Sequence, residues 1–446
     1  MFRAAERTIK KFLPKSFLLK IYYPAISLLA NFFYGQPSEK MIVIGVTGTA
    51  GKSTTVNLIG RILEAAGHRV GWTSTLNFKI NDREWTNRTK MTMLGKFSLQ
   101  KLLKEMINEK CEYAIIETSS EGVAQSRHLG INYDILVFTN LSPEHIESHG
   151  GFNNYRLAKG ELFAHLEKNK RKILNGRNIE KTKIINLDDE NSAYFLGFRS
   201  DKTIGYTIKD PVNCSNFQID KTIRYDQFLL KPNITELVFN GVYINFLLLG
   251  EFNAYNALAA ISAIDSFGIE PTNIKNGLES IKIIPGRLEY VNAGQNFSVI
   301  IDYAHTPEEL KKVYNFLNTI KNNKAKIISV FGSAGGGRDK WKRSELGKLA
   351  ATLTDIVIIT NEDPYDEDSK KIINEISAGA KNIFEPRAKI ILEISDRRSA
   401  IQKAISFAEA GDVVIVTGKG SEECIMGPRN TKIPWNDKAI ALELLK

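Results

Sequence analysis

A glycine-rich loop near the start of the chain has the residue types that bind phosphate groups. It reads GTAGKST at residues 48–54 and lies between an apolar run and a stretch with helical periodicity. Such a loop presents backbone N–H groups and a helix N-terminus to anionic phosphates. Lys52 would bridge the β- and γ-phosphates of a nucleotide, and the Ser53 hydroxyl would bind Mg²⁺. The loop alone predicts only a nucleoside triphosphate site, which motors, transport ATPases, GTPases and kinases all share.

Three further side chains have the chemistry of a metal and carboxylate-activating site. Glu117 directly follows a buried apolar run, His145 follows the next such run, and Lys159 lies in a helical pattern. Because the carboxyl ends of parallel strands meet at one edge of a sheet, Glu117 and His145 are predicted to lie beside the phosphate loop. Taken singly, each also has a structural explanation: Glu117 as a helix cap, His145 as a loop residue and Lys159 as a solvated side chain.

The elements that must position these residues alternate between β-rich and helical patterns, which is typical of a parallel α/β sheet. In the first part of the chain, buried strands are predicted at residues 41–46, 113–116 and 135–138, with helices at 52–66 and 254–267. Residues 200–250 between them are β-rich and irregular.

A hinge at Pro285-Gly286-Arg287 separates this part from new strands that predict a second α/β domain. Those strands are expected at residues 298–301, 327–331, 356–359 and 413–416. The expected fold is therefore α/β, with a central P-loop ATPase domain of mostly parallel sheet and a C-terminal Rossmann-like domain. Their bounds are 41–284 and 285–446, after a separate segment at 1–40.

Composition limits the class of protein. The chain has 446 residues, of which 43% are hydrophobic and 25% charged, which is the balance of a soluble globular protein with two or three domains. Its net charge of +10 suits an anionic partner such as a nucleotide, an acidic substrate, a membrane surface or nucleic acid. Cys111, Cys214 and Cys424 lie far apart, which argues against a disulfide framework or structural zinc and predicts a cytoplasmic location.

The first forty residues differ from the rest. Residues 1–20 carry six basic side chains against the single acid Glu6, and residues 21–34 are apolar and aromatic, interrupted by Pro24 and Asn31. The apolar run is shorter than the ~20 residues that span a bilayer. No small-residue cleavage site follows it, so a secretory signal is not expected. The segment is predicted either to lie on the anionic inner membrane surface or to pack on the globular body as a docking helix.

The motifs, taken in order, resemble those of the Mur ligases, the enzymes that build the peptide stem of peptidoglycan. The phosphate loop is followed by ETSS at 117–120, TNLSPEH at 139–145 and YRLAKGELF at 155–163. Further matching segments are INLDD at 185–189, GEFNAYNA at 250–257, PGRLE at 285–289, DYAHTP at 302–307, GKGSE at 418–422 and PWND at 434–437. The resemblance covers about nine-tenths of the chain, from residue 41 onward, and is closest to the MurE branch.

The resemblance implies roles for the matching residues. The phosphates would be bound by Gly48, Thr49, Gly51, Lys52, Ser53 and Thr54. Magnesium would be coordinated by Ser53, Glu117, His145 and Lys159, which with Lys52 form the catalytic set. The nucleotide would also contact Asn256, Arg287, Asp302 and His305. The acceptor and the incoming amino acid would contact Thr92, Ser119, Ser120, Arg338, Asp363, Tyr365, Gly418 and Glu422.

The resemblance also implies a reaction, its cofactors and its partners. It predicts an ATP-dependent amide ligase that forms an acyl phosphate and adds diaminopimelate or lysine to UDP-MurNAc-L-Ala-D-Glu. The cofactors would be ATP and two Mg²⁺ ions, with a carbamate on Lys159 that turns a cation into a carboxylate-like ligand. The partners would be ATP, the UDP-MurNAc-dipeptide or a related acceptor, and a free amino acid. No nucleic acid is expected, and a monomer is favoured.

Some positions depart from the family pattern. The family's N-terminal UDP-binding domain has no counterpart before the phosphate loop, which makes an altered or lipid-linked acceptor an alternative. The family's S-S-H reads Ser119-Ser120-Glu121, and its T-T-P loop reads MTML at 91–94. The D-N-P-R motif, whose arginine marks diaminopimelate enzymes, reads EDPY at 362–365. Without that arginine to bind a distal carboxylate, lysine is a rival for the added residue.

Two other functions remain open at this point. The same ligase chemistry would serve another acceptor, as in folate polyglutamylation or cyanophycin-like polymer synthesis. From a different class, a P-loop protein that binds nucleotide and membrane without ligation would need only the phosphate loop. The combination of Glu117, His145 and Lys159 argues against that second alternative, because a protein that only binds nucleotide does not need all three.

Overall fold

The computed structural model of the protein describes residues 18–209 and 216–446. Five of the six basic residues at 1–20, as well as Cys214, lie outside the described residues. The described residues form a nine-stranded, a six-stranded and a three-stranded sheet with helices around them. The predicted α/β fold class is confirmed.

The first part of the chain contains the nine-stranded sheet, the three-stranded sheet and a small hairpin. Its strands are β1 (Ile42–Thr47), β2 (Val70–Thr73), β3 (Asn77–Ile80), β4 (Arg83–Thr86), β5 (Tyr113–Glu117), β6 (Ile135–Phe138), β7 (Lys172–Leu174), β8 (Arg177–Ile179), β9 (Thr182–Asn186), β10 (Lys202–Tyr206), β11 (Lys221–Ile223), β12 (Gln227–Leu230), β13 (Thr235–Phe239) and β14 (Val242–Phe246). The nine-stranded sheet has the order β11-β10-β9-β6-β1-β5-β2-β3-β4 and is antiparallel only along β2, β3 and β4.

Strand β1 lies at the centre of this sheet, between β5 and β6. It pairs in parallel with both, so that Val46 lies opposite Glu117 and Thr47 lies opposite Phe138. The three carboxyl ends therefore bring the phosphate loop, Glu117 and the segment after β6 to one edge of the sheet, as the sequence predicts.

Helices cover both faces of the nine-stranded sheet. They are α1 (Tyr23–Phe33), α2 (Lys52–Ala65), α3 (Lys96–Asn108), α4 (Ser120–Ala124), α5 (Ile146–His149), α6 (Phe152–Lys168), α7 (Ser192–Leu196), α8 (Glu251–Ile264) and α9 (Pro271–Ser280). One apolar cluster joins α2, α8, α9 and the three-stranded sheet to one face, and a second joins α3 and α6 to the other. Because successive strand residues point to opposite faces, Val43 and Ile44 belong to different clusters.

The C-terminal part of the chain forms a separate six-stranded sheet with its own helices. Its elements are β15 (Glu289–Val291), β16 (Ser298–Ile301), α10 (Pro307–Ile320), β17 (Ile327–Phe331), α11 (Trp341–Leu353), β18 (Ile356–Ile359), α12 (Ser369–Lys381), β19 (Ile390–Glu393), α13 (Arg397–Phe407), β20 (Val413–Val416), β21 (Cys424–Met426), β22 (Lys432–Pro434) and α14 (Asp437–Leu444). The strand order is β15-β16-β20-β17-β18-β19, parallel apart from β15, and β21 pairs with β22 in a hairpin.

The predicted strands at 135–138, 298–301, 327–331, 356–359 and 413–416 have the observed bounds. Apart from Ser298 and Ser329 they are continuous buried apolar runs, the pattern of central parallel strands. Other bounds differ slightly. Strand β1 begins one residue later than predicted, at Ile42. The helix predicted at 254–267 begins at Glu251, and its last turn, Asp265–Phe267, is 3₁₀ rather than α.

The described part of the N-terminal segment begins with a π-helical turn, Leu18–Tyr22, that leads into α1. Helix α1 packs against α3, and its small residues Ser27 and Ala30 are buried. Among residues 18–209 and 216–446, no helix combines the length and the apolar character needed to cross a bilayer.

Candidate active site

Most of the predicted site residues line one cleft of about 410 Å³ between the two large sheets. Those residues are Gly48, Thr49, Gly51, Lys52, Ser53, Thr92, Glu117, Ser119, Ser120, His145, Lys159, Arg287, His305, Arg338, Asp363, Tyr365, Gly418 and Glu422. The other three, Thr54, Asn256 and Asp302, line a neighbouring cleft of about 650 Å³. Both clefts include Gly51 and Arg287, so the two are continuous beside the phosphate loop.

The phosphate loop can adopt its observed path only with glycine at two positions. Gly48 has φ of +151°, and a Cβ there would lie 1.9 Å from Thr139 Oγ1. Gly51 has φ of +81°, and a Cβ there would lie 2.1 Å from Asn256 Oδ1. The Thr49 N–H donates to Asn140 O at 2.8 Å, which fixes the loop to the segment after β6. These contacts fix the path of the loop at the N-terminus of α2. The free backbone N–H groups at a helix N-terminus can bind an anion.

The Ser53 hydroxyl donates to Glu117 Oε2 at 2.7 Å, so the two predicted magnesium ligands lie side by side. The same carboxylate accepts hydrogen bonds from Thr75 N at 2.6 Å and Thr75 Oγ1 at 2.9 Å, and its residue is 1% exposed. A buried carboxylate next to a hydroxyl has the hard oxygen donors that Mg²⁺ prefers. The helix-cap explanation for Glu117 is wrong, because its carboxylate faces the phosphate loop.

Across the described residues, no three His, Cys, Asp or Glu side chains lie close enough together to hold a metal ion. The predicted set includes only Glu117 and His145 of those residue types, with Ser53 and Lys159 as its other members. The four-membered metal set therefore stays a prediction.

Lys159 reaches the phosphate loop from helix α6. Its Nζ donates to Gly48 O at 2.7 Å and lies 4.7 Å from the centre of the Tyr155 ring. Only 1% of the residue is exposed, so the explanation as a solvated lysine is wrong. Burial, followed by the nearby Lys52 ammonium, lowers the pKa of Lys159 well below its usual 10.5. The position thus favours a neutral amine, which is the form that reacts with CO₂.

A chain of histidines and carboxylates joins the two domains beside the loop. His305 Nε2 lies 3.1 Å from Glu144 Oε1, and its Nδ1 lies 3.3 Å from Glu309 Oε2. Burial alone would lower the pKa of His305, but Glu309 and Glu144 outweigh it and raise that pKa. His145 lies 3.7 Å from the same Glu144 oxygen, and burial lowers its pKa.

The sequence interpretation named neither Glu144 nor Glu309. A signal for Glu309 was present in the sequence, because Thr306-Pro307-Glu308-Glu309 has the spacing of a capping box. Thr306 Oγ1 accepts from the Glu309 N–H, and Glu309 Oε2 accepts from the His305 N–H. The cap therefore fixes the carboxylate that holds His305.

An acidic pair from the C-terminal domain, Asp363 and Glu422, binds two lysines. Lys419 donates to both carboxylates, at 2.7 Å to Asp363. Lys90, from the loop between β4 and α3 of the first domain, donates to Glu422 at 2.6 Å and to Cys424 O at 3.3 Å. The ammonium of Lys90 thus crosses the cleft and occupies an acid pair that could hold a free ammonium ligand. Sequence reasoning missed this contact, and nothing local in the sequence signals it.

The glycine-rich segment at 332–339 ends in a second contact between the domains. Asp339 accepts from the backbone N–H groups of Ile146 at 3.0 Å and Glu147 at 2.9 Å, at the start of α5. In return, Glu147 Oε1 accepts from the Lys340 N–H at 2.7 Å. This reciprocal capping places Arg338 at the mouth of the cleft.

Arg287 and Asp302 flank the point where the clefts join. The Arg287 guanidinium lies 4.8 Å from the centre of the Tyr303 ring, and its buried Nε has no hydrogen-bond partner among the described residues. A buried cationic donor without a partner fits an anionic ligand such as a phosphate. Asp302 accepts from the backbone N–H groups of Leu288 and Ala304, both at 2.7 Å, so its observed contacts stabilise the hinge.

The remaining predicted substrate residues line the cleft with polar groups. The Ser119 side chain caps α4, Ser120 Oγ lies 3.2 Å from His149 Nε2, and Thr92 Oγ1 lies 3.0 Å from Thr75 Oγ1. Tyr365 has a left-handed backbone with φ of +53°. Gly418, with φ of +104°, leaves room for Glu362, whose buried Oε2 has no partner among the described residues.

The arrangement combines three chemical features in one enclosed space. A phosphate loop and a buried lysine lie on one side, a hydroxyl–carboxylate pair lies beneath them, and charged side chains of both signs lie across the domain boundary. Such a site can bind a nucleoside triphosphate next to polar substrates that carry carboxylate and ammonium groups.

Comparisons with known proteins agree with this geometry. Residues 46–264 match the family described as Mur ligase middle domain, and residues 286–420 match that described as Mur ligase, glutamate ligase domain. The UDP-N-acetylmuramoyl-L-alanyl-D-glutamate–2,6-diaminopimelate ligase of Geobacillus thermodenitrificans is 35% identical, over 95% of this chain and 82% of the relative. The UDP-N-acetylmuramyl-tripeptide synthetase of a Roseiflexus species is also 35% identical, over 94% and 82%. A solved structure of a UDP-N-acetylmuramoyl-L-alanyl-D-glutamate–2,6-diaminopimelate ligase is 27% identical, covers 91% of this chain and 78% of its own, and superposes with a TM-score of 0.57.

Proposed function

This chain belongs to the Mur ligase family, and we propose that it adds an amino acid to UDP-MurNAc-L-Ala-D-Glu in peptidoglycan synthesis. Like the family, it is an ATP-dependent ligase that forms amide bonds. The acceptor is inferred from relatives whose names specify it. The observation that carries the proposal is the position of Lys159, buried against the carbonyl of Gly48 in the phosphate loop. A protein that binds nucleotide without catalysing ligation needs no buried lysine at this position.

The proposed chemistry replaces a poor leaving group with a good one. The acceptor carboxylate attacks the γ-phosphorus of ATP, ADP leaves, and an acyl phosphate forms. The amine of the amino acid then attacks the carbonyl carbon, loses a proton, and expels phosphate to leave the amide. Lys52, at the start of α2, offsets negative charge where the carboxylate and the triphosphate meet. The cleft itself positions the two anions and the amine together.

The residues at the phosphate loop fit magnesium. Ser53 and Glu117 would hold one ion, and His145 with a carbamate on Lys159 would hold a second. Bound magnesium supplies positive charge that neutralises the phosphoryl oxygens. The support for the carbamate is the lowered pKa of the buried Lys159 amine together with the carboxylate character it would add.

We propose that residues 41–284 bind ATP and residues 285–446 bind the incoming amino acid. Asn256, Thr54, Asp302 and Arg287 then lie in the part of the cleft that would take the nucleoside, and His305 beside Glu144 would help to close it. We also propose that the protein acts as a monomer. We further place the protein in the cytoplasm, with the N-terminal segment 1–40 in contact with the inner membrane surface.

The amino acid pocket is proposed to lie around Asp363, Tyr365 and Glu422, with Arg338 at its mouth. The acid pair offers two carboxylates to an ammonium, and Arg338 offers a guanidinium to a carboxylate. Diaminopimelate and lysine both carry a side-chain ammonium, so both remain candidates for the added residue.

Replacing Lys90 with methionine is expected to lower the KM for the added amino acid about threefold to tenfold, with little change in kcat. The Lys90 ammonium occupies Glu422, so it competes with a substrate ammonium for the same carboxylate. Steady-state phosphate release at varied amino acid concentration measures the effect. The matched control is Arg88→Met. Arg88 lies in the same loop as Lys90 and makes an exposed ion pair with Glu423, which this change removes. A KM that rises in Lys90→Met but not in the control would mean that Lys90 holds the domains together instead.

The proposed function is tested by phosphate release from ATP and Mg²⁺ with UDP-MurNAc-L-Ala-D-Glu and single amino acids. We expect release only when both the acceptor and either diaminopimelate or lysine are present, with a product heavier by one amino acid residue in mass spectrometry. Reactions that lack the acceptor, the amino acid or Mg²⁺ are the controls. If release requires a folate or a lipid-linked acceptor instead, the ligase chemistry stands and the cell-wall acceptor is wrong. Release without any acceptor would contradict ligation itself.

A further inference from the structure

Helix α1 presents its large apolar side chains outward. Ala25, Leu28, Leu29, Phe32 and Phe33 are all exposed and recur at i, i+3, i+4, i+7 and i+8, which is one face of a helix. We call these five residues the apolar stripe. Phe32 is 76% and Phe33 69% exposed. A helix that merely docks on the protein body would turn such a face inward, so the stripe needs another partner.

The opposite face of α1 is already used for docking. Ser27 Oγ donates to Ser126 O at 2.6 Å, and Ala30 is fully buried. Gly130 allows the close approach, because a Cβ there would lie 2.9 Å from Ser27 O. The helix is therefore held to the body through its small residues, and this attachment fixes the direction of the apolar stripe.

Basic residues precede the stripe in the sequence. Residues 1–20 contain Arg3, Arg7, Lys10, Lys11, Lys15 and Lys20 against the single acid Glu6. In the described part of this segment, Leu19 and Ile21 add exposed apolar surface at 37% and 56%. An anionic bilayer attracts such a segment in two ways. Its acyl chains attract the apolar face, and its negative headgroups attract the basic residues that precede this face in the sequence.

We propose that the apolar stripe inserts into the headgroup region of an anionic lipid bilayer, which the basic composition of residues 1–20 favours over a neutral one. This inference deepens the membrane contact proposed above and does not depend on the ligase activity. A second copy of the chain is a poorer partner, because pairing two stripes would bring two basic segments together. Lipid of negative charge covers the stripe and neutralises those bases at once.

The location of α1 gives this contact a consequence for the cleft. The helix packs on α3 and on residues 126–130, and its Phe33 lies 6.2 Å from the Phe97 ring between centroids. Those two segments follow Thr92 and Ser120 in the chain, which the family resemblance predicts to contact the acceptor or the amino acid. Lipid contact through α1 therefore acts on segments that are continuous in the chain with these cleft residues.

The inference is tested by flotation of the full chain with vesicles of phosphatidylcholine, alone or mixed with phosphatidylglycerol. We expect binding to the mixed vesicles that weakens as salt is raised, and little binding to phosphatidylcholine alone. The variant Phe32→Ser/Phe33→Ser should bind the mixed vesicles at least about tenfold more weakly. Phe384→Ser is the matched control, since Phe384 is 91% exposed on the C-terminal domain and should bind like the unchanged protein.

Phosphate release with the soluble acceptor separates this inference from the ligase proposal, because the stripe variant should keep its activity in that assay. If that variant does not fold, Lys10→Gln/Lys11→Gln replaces it. This second variant should bind the mixed vesicles more weakly and leave the binding to phosphatidylcholine unchanged. Equal binding by the stripe variant and the unchanged protein would overturn the inference, as would no binding to either vesicle. A dimer in solution that the stripe variant converts to a monomer, without vesicle binding, would assign the stripe to a second copy of the chain.

Discussion

Replacing Glu117 with glutamine is expected to slow ATP-dependent phosphate release about a thousandfold, because the metal site loses its buried negative charge. The change keeps the shape of the side chain. The glutamine oxygen can still accept from Ser53 Oγ and Thr75 N, and the Thr75 hydroxyl can turn to accept from the new amide. The fold should therefore survive while the affinity for Mg²⁺ falls. Phosphate release measured over a range of Mg²⁺ concentrations should show both a lower rate and a higher half-saturating concentration.

Glu84→Gln is the matched control for this prediction. Glu84 lies on β4, the edge strand of the same sheet, where it pairs with Arg61 at the surface, and does not line the cleft. Its variant should keep the rate and the Mg²⁺ dependence of the unchanged protein. If Glu117→Gln also kept both, Glu117 would only support the loop, and magnesium would be held by other residues.

The sequence predicts the central elements of the fold because their signals are local. Buried runs such as Val413–Val416 are apolar and β-branched at every position, which is the pattern of a strand covered on both faces. The phosphate loop is equally local, since its glycines and Lys52 lie within five residues. The sequence also predicts that Glu117 and the segment after Phe138 meet at one edge of the sheet, whereas the position of β1 between β5 and β6 comes from the structure.

The contacts that close the cleft could not be predicted, because they join segments far apart in the chain. Lys90 and Glu422 are separated by 332 positions, and Asp339 reaches the start of α5 across 193. Neither residue has a helical or strand pattern that signals a partner. Their meeting depends on how two independently folded sheets approach each other, which local propensity does not encode.

The departures from the family pattern cluster on the substrate side of the site. The residues at the phosphate loop follow the pattern, whereas Glu121, Met93 and Tyr365 differ from it. Tyr365 lines the cleft, and Met93 is buried against Gly122, next to Glu121. A reaction that is shared by a family constrains the residues that touch ATP, while each substrate constrains only its own pocket. The chemistry of this enzyme is accordingly clearer from its residues than the identity of the amino acid it adds.

Removing dissolved CO₂ is expected to inactivate the enzyme reversibly, because Lys159 would lose its carbamate. A carbamate forms when a neutral amine attacks CO₂ and releases a proton. Burial and the Lys52 ammonium lower the pKa of Lys159 well below 10.5, so the neutral amine is present at a lower pH than in an ordinary lysine. Phosphate release in decarbonated buffer should fall by about tenfold or more and recover when bicarbonate is added, whereas Lys159→Ala should lose about a thousandfold and not respond to bicarbonate.

Lys183 supplies the matched control for Lys159, since a low pKa alone does not make a catalytic lysine. Burial lowers the pKa of Lys183 to about 8, but its ammonium donates to Leu196 O and Phe198 O, away from the cleft. Lys183→Met should keep both its activity and its response to bicarbonate. With ¹³C-bicarbonate, a carbamate resonance should appear in the unchanged protein and in Lys183→Met but not in Lys159→Ala. A bicarbonate response that persists in Lys159→Ala would place the CO₂-dependent group elsewhere and leave Lys159 as a cation that binds the phosphate loop.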